Sequence, residues 1–172
     1  MNQLIEKAKK KDPDAFTELI QQQMQMMYKI AKSILYSDED VADAIQDTIL
    51  ACWEKMNSLK NERYFKTWLI RILVNKCNDQ IRRHKSCFPI EQIPEISVSN
   101  TEFENLEWNE TLNCLDEKYR LVIMLYYVEG FKTSQISQIL EISASTVRTR
   151  LARAREKLTA IYQIDTKRRK LS

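Results

Sequence analysis

The stretch YVEGFKTSQISQILEISASTVRTRLARAREKL, from Tyr127 to Leu158, reads as two short helices joined by a tight connection. Ile136, Ile139 and Leu140 give the first helix an apolar face, and Ile142 plugs the connection. Ser143 is placed to cap the second helix, because its hydroxyl can accept from an orphan backbone N–H of the first turn. Val147, Leu151, Ala154 and Leu158 then recur at helical spacing and predict one packed face. Ser145, Arg148, Thr149, Ala152 and Arg153 fall on the opposite side, with Arg150 and Arg155 flanking them. One face that packs and one that offers small polar and arginine side chains is what a helix-turn-helix presents to a major groove. The turn position that glycine usually occupies is Glu141, and a non-glycine residue at positive φ costs on the order of 1 kcal/mol.

Working outward, composition fixes the class. The chain has 172 residues, one glycine, three prolines and 30% charged residues, and strand patterns are nearly absent. An all-α protein of two small helical domains is expected. A single glycine excludes Gly-rich phosphate loops and dinucleotide fingerprints, which need glycines for close backbone approach. Without an N-terminal apolar run or a stretch of about 18 apolar residues, neither a signal peptide nor a membrane span is expected, and the reading is cytoplasmic. Cys52, Cys77, Cys87 and Cys114 form no C-x-x-C pair, and His84 is the lone histidine, so no metal site, cofactor or catalytic residue is expected. The chain does not read as an enzyme.

Net charge is only +3, but its distribution is uneven. Every charge from Asp38 to Glu54 is acidic, and from Lys66 to Lys85 only Asp79 interrupts the basic residues. No Lys or Arg occurs from Phe88 to Glu117, and basic residues dominate again beyond Ile142. Helical spacing predicts a helix from about Pro13 to Tyr36, started by Asp12, a second from about Glu39 to Met56, and a third from about Arg63 to Lys85 after the loop Asn57 to Glu62. Residues 1–86 therefore read as one domain and 87–107, with Pro89, Pro94 and acidic residues, as a flexible linker. Residues 108–172 read as the second domain, in which helical character resumes near Phe103 and an apolar helix from Lys118 to Val128 supports the helix-turn-helix.

In the third helix, Arg71, Asn75, Asn78, Arg82 and Lys85 line one stripe opposite an apolar arc of Phe65, Trp68, Leu69, Ile72 and Leu73. Arginine and lysine there suit phosphates, and asparagine can offer paired hydrogen bonds to a base edge. The preceding loop, with Lys60, Asn61, Arg63 and Tyr64, mixes basic and amide groups with aromatics, and ring stacking on an unstacked base is worth about 1–3 kcal/mol. Phe65 and Trp68 lie on the apolar arc and read first as core; Tyr64 is more open. On the second helix, Asp43, Asp47 and Glu54 share a side with Gln46 nearby, while Val41, Ala44, Ile45, Thr48 and Cys52 point inward. Such carboxylates repel DNA and need either water or a basic partner.

Taken together these residues resemble the extracytoplasmic-function sigma factors, the small two-domain branch of the bacterial sigma-70 family. The stretch DVADAIQDTILACWEKM (Asp40 to Met56) is similar to the family's D-x-x-Q-[ED]-T pattern, through Asp43, Gln46, Asp47 and Thr48. FKTWLIRILVNKCNDQIRRHK (Phe65 to Lys85) is similar to its F-x-x-W-L-x-R-I-x-x-N-x-x-x-D-x-x-R-R pattern, and the opening stretch resembles its C-terminal domain. The resemblance implies sigma domain 2, a three- or four-helix bundle, followed by an acidic linker and sigma domain 4. It implies docking of Asp43, Gln46, Asp47 and Ile49 on the clamp helices of the RNA polymerase largest subunit, with a further contact to the flap. Lys60, Asn61, Arg63, Tyr64, Lys66, Trp68, Arg71, Asn75, Asn78, Arg82 and Arg83 would melt and read the −10 element, with a base flipped near Asn61. Thr133, Ser134, Ser145, Thr146, Arg148, Thr149, Arg150, Arg153 and Arg155 would contact the −35 element. Such factors are commonly held inactive by an anti-sigma protein, often membrane-bound, which implies a monomer when free or a 1:1 complex. Ile45 and Asp47 depart from the commoner family residues, as does Glu141. The alternative is a stand-alone helix-turn-helix regulator, which leaves the acidic stripe and the second basic surface unexplained.

Overall fold

The computed structural model describes the backbone of residues 1–87 and 112–170, and the side chains of residues 1–84 and 112–161. The described residues form helices joined by turns, with no strand among them, and divide into two compact units, the first holding residues 1–87 together with Gln138–Glu141 and the second the other described residues from 112 onward. The linker, and nearly all of the helix expected from Phe103 to Leu115, lie outside the described residues.

The first unit begins with α1 (Asn2–Lys9), which the sequence reading does not anticipate, and which buries only Ile5 and Ala8. It closes in a Schellman turn: the Lys11 N–H donates to the Ala8 carbonyl and the Asp12 N–H to that of Lys7, with Lys11 at φ 64°. Lys11 is held there by its ammonium, which donates to the Trp53 carbonyl at 2.5 Å and lies 4.7 Å from the Trp53 ring. Asp12 then caps α2 (Pro13–Gln21), accepting from the Asp14 and Ala15 N–H groups, with Pro13 in the first turn where its missing donor costs nothing.

The single helix expected from Pro13 to Tyr36 is two helices. α2 stops at Gln21 and α3 runs Met24–Ile34, with the Gln23 N–H donating to the Ile20 carbonyl to close the break. Gln22 and Gln23 have good helix propensity, and the apolar positions continue at helical spacing across them. The interruption therefore reflects tertiary packing, with Gln23 itself buried. Next, α4 (Asp38–Lys55) starts on a Ser37 cap, with Asp38, Glu39 and Asp40 in the first turn, where carboxylates favour the positive end of the helix dipole. The loop after it contains two 3-10 turns, Met56–Ser58 and Glu62–Tyr64, and leads into α5 (Phe65–Cys87). α4 and α5 pack on each other and both pack on α3. Leu19, Met27, Ile30 and Ile34 fill the core with Phe65, Leu69, Ile70 and Leu73. The buried hydroxyls of Ser33 and Thr48 donate to carbonyls of their own helices, so they enter the core satisfied.

In the second unit, α6 (Glu117–Ile123) runs into one π turn, Met124–Val128, and packs against the last helix. Gly130 at φ 69° redirects the chain into α7 (Thr133–Leu140). The Gln135 side chain accepts from the Lys132 N–H, half of a capping box. After a three-residue turn comes α8 (Ala144–Lys170).

Candidate nucleic-acid and protein interfaces

On α4 the inward set is Val41, Ala44, Ile45, Thr48 and Cys52, all buried as the spacing predicts. Burial pushes the Cys52 thiol up to about 12, only partly offset by nearby Lys55, so it stays protonated and unreactive at neutral pH. The outward face carries Asp43 and Gln46, exposed, with Asp47 and Ile49 half-buried. Leu50 joins them and is 58% exposed. It is absent from the sequence-derived candidates, yet it lies four residues beyond Gln46 and four before Glu54. That helical spacing was the available signal.

Two carboxylates of α4 are engaged by the end of α5. Asp40 Oδ1 lies 2.8 Å from His84 Nε2, and Asp47 Oδ2 lies 3.9 Å from an Arg83 guanidinium nitrogen. Asp38 takes the Lys32 ammonium at 2.7 Å. Asp43 has no ion partner among the described residues. The acidic and basic stripes of this unit therefore adjoin, and partly neutralise each other.

The turn before α5 is built by Asn61, whose carboxamide oxygen accepts from the Arg63 N–H at 3.0 Å. Lys9 pins the turn from α1 through Glu62 at 3.6 Å. Lys60, Asn61, Arg63 and Lys66 are exposed, and Tyr64 is 51% exposed. Phe65 is core, at 1%, whereas Trp68 is half-buried with its ring tilted against Phe65. The core reading thus holds for Phe65 and only in part for Trp68. Along α5, Arg71, Asn75, Arg82 and Arg83 are exposed and Asn78 half-buried, so the stripe exists as the spacing predicts. Arg82 also pairs with Asp79 one turn back at 3.5 Å. The Lys85 side chain lies outside the described residues.

In the second unit the apolar face expected on α8 is met at three of its four positions, Leu158 being only half-buried. Val147, Leu151 and Ala154 are buried, while Ser145, Arg148, Thr149, Ala152 and Arg153 are exposed. Ser143 caps the helix: its hydroxyl accepts from the Thr146 N–H at 3.1 Å and meets the Ser145 and Thr146 hydroxyls at 2.7 and 2.8 Å. Glu141 does sit at φ 55°, and the Ile142 N–H donates to the Ser137 carbonyl, so the turn is a Schellman turn made without glycine. Of the remaining candidates, Ser134 is exposed, and Thr133, Thr146 and Arg150 are half-buried. Arg155 is exposed but committed: its Nε donates to the Tyr127 hydroxyl at 2.6 Å, with the guanidinium 5.7 Å from that ring.

The family model of sigma-70 region 2 matches residues 19–87, and that of sigma-70 region 4 matches residues 106–158. The RNA polymerase sigma factor NccH of Alcaligenes xylosoxydans xylosoxydans is 32% identical, across 93% of each chain. This chain belongs to the sigma-70 family. It is a sigma factor of the extracytoplasmic-function type, similar to SigW of Bacillus subtilis, which is 29% identical over 90% of this chain and 92% of that one. The structure of CnrH in complex with the cytosolic domain of CnrY superposes with a TM-score of 0.71 at 28% identity, covering 94% of this chain and 96% of that one. Bartonella quintana RpoE, solved with the anti-sigma factor NepR, shares the fold with a TM-score of 0.70 at 23% identity over 87% of this chain and 98% of that one. The sigma factor acts in promoter-specific transcription initiation, with core RNA polymerase and promoter DNA as partners, and the stand-alone regulator is not favoured. Among the described residues no helix is long and apolar enough to cross a membrane, and no cluster of His, Cys, Asp or Glu could hold a metal ion.

Proposed function

We propose that the α4 face docks on the clamp helices of the polymerase largest subunit, with Asp43, Gln46, Asp47 and Ile49 around Leu50. The observation that carries this reading is the adjacency, within one small unit, of that acidic and apolar face to the cationic and amide stripe of α5. An exposed leucine ringed by carboxylates suits a basic protein surface with an apolar centre, and repels DNA. The neighbouring turn and α5 then read the −10 element through Lys60, Asn61, Arg63, Tyr64, Lys66, Trp68, Arg71, Asn75, Asn78, Arg82 and Arg83, with Tyr64 the most accessible ring for stacking. In the second unit, Ser134, Ser145, Arg148, Thr149 and Arg153 face the −35 element. Thr133, Thr146, Arg150 and Arg155 lie at its margins, and polymerase contact is through the flap.

Neither surface needs high affinity alone, because polymerase holds both at high effective concentration. The factor works in the cytoplasm by binding, without catalysis. Its regulator is an anti-sigma protein that binds 1:1 and covers these surfaces; the binding of CnrH to a cytosolic domain of CnrY supports a membrane-tethered regulator. A gel shift on a promoter duplex tests the reading. Holoenzyme should shift it where the chain alone does not, and a full, sequence-selective shift by the chain alone would return the stand-alone regulator.

A further inference from the structure

α1 adds little to the core, burying only Ile5 and Ala8, and its 8 residues are too few to hold a helix in water by themselves. It packs on α2 and on both 3-10 turns of the loop before α5, Met56–Ser58 and Glu62–Tyr64. Met56, Leu59 and Phe65 anchor that loop and are buried. Between Leu59 and Phe65 the side chains of Lys60, Asn61, Arg63 and Tyr64 are exposed, and only Glu62 is half-buried. The Asn61 carboxamide oxygen is taken within the turn by the Arg63 N–H. Among the described residues, the pair of Glu62 with Lys9 at 3.6 Å is the one ion pair or side-chain hydrogen bond that ties this stretch to another element.

Glu62 is out of place by charge. Lys60, Arg63 and Lys66 flank it in sequence, and a carboxylate on a DNA-facing turn repels phosphate. An acid does suit the positive start of a helical stretch, but that interaction needs no lysine from α1. The Lys9 and Glu62 side chains are only 25% and 23% exposed, so salt screens their pairing less than that of an open surface pair. The strand of contacts continues on the other side. Just beyond α1, the Lys11 ammonium donates to the Trp53 carbonyl in the last turn of α4, and Phe16 meets the Trp53 ring edge-on at 5.0 Å. α1 therefore bridges the end of α4 and the turn before α5.

We propose that α1 is a strap that positions this turn, with Lys9 acting through Glu62 as a positioning residue rather than as a DNA ligand. The inference rests on the −10 reading of the turn and adds to it what holds the turn in place. A turn whose side chains face solvent is otherwise ordered only on binding, and that ordering subtracts from the contact it makes. The strap supplies the order beforehand and keeps the Glu62 carboxylate neutralised on the α1 side.

The test uses holoenzyme and a promoter panel varied in the −10 element. Lys9→Gln and Glu62→Gln should each lower discrimination among the −10 variants by about fivefold, the low end of what one base contact carries. The double variant should lose no more than either single one, because the two residues act as a unit. Core polymerase affinity, the ranking of −35 variants and the salt slope of binding should stay at wild-type values, and Lys9→Arg should retain the discrimination. A phosphate ligand behaves differently: Lys9→Gln would weaken all promoters and flatten the salt slope, and Glu62→Gln would strengthen binding. That pattern would overturn the proposal, as would additive losses in the double variant. A fall in core affinity or helical content would overturn it too, since it marks general damage to the unit. Tyr64→Ala is the control: if it changes −10 discrimination while neither single variant does, only the strap fails. If none of the three changes it, the −10 reading of the turn itself fails.

Discussion

The α4–α5 surface of the first unit and the α8 surface of the second differ in how their charges are satisfied. In the first, Asp47 meets Arg83, Asp40 meets His84 and Asp79 meets Arg82. In the second, Arg148 and Arg153 point outward with no ion partner among the described residues. A DNA-facing cation that is already paired gains less from a phosphate than an unpaired one, because it must first leave its partner. On the proposed assignment, the first unit acts within a larger assembly that claims its carboxylates, and the second offers its unpaired arginines to duplex DNA.

Predictions can break this contrast at several strengths. The largest effect is on stability: Leu73→Ala in the first unit and Leu151→Ala in the second each remove a fully packed side chain, at a cost of about 2–5 kcal/mol in denaturant titrations. A loss under about 1 kcal/mol in either, the range of exposed-site substitutions, would mean that helix is not part of a real core. Asp47→Arg comes next. It sets two cations side by side at Arg83 and reverses the docking charge, so core polymerase affinity should fall by at least about 2 kcal/mol with helical content intact. Co-purification at wild-type levels would remove α4 from the docking surface.

Smaller effects separate the arginines. Arg148→Ala and Arg153→Ala should each cost about 1–3 kcal/mol of discrimination between promoter variants, since base-edge contacts carry that much. Arg155→Ala should weaken all promoters evenly and less, because Arg155 is engaged with Tyr127. Equal changes of sequence preference in all three would erase the distinction. The smallest effect is at the turn: Glu141→Gly relieves a left-handed backbone and should raise stability by up to about 1 kcal/mol, read from the unfolding midpoint. A loss of stability would show that the side chain contributes more than the strain costs.

Legibility in the sequence divides along the same line. The helix-turn-helix is a local object: cap, turn and apolar spacing all lie within about thirty residues, and Ser143, Glu141, Val147 and Leu151 stand where the spacing puts them. The buried set of α4 and the stripe of α5 are likewise periodic and were readable. Features that depend on packing between distant segments were not. α1 offers only Ile5 and Ala8 to the core in a basic stretch, too little periodicity to register. The break at Gln22–Gln23 occurs between good helix formers. The meeting of Asp47 with Arg83, and of Asp40 with His84, requires knowing which helices lie side by side.

Run-off transcription with purified core polymerase, with and without this chain, tests the central claim most directly. A library of candidate promoters should yield discrete transcripts from a subset of templates only when the chain is added, and Asp47→Arg should abolish them. Initiation that is the same in its presence and absence, across the whole library, would contradict the account.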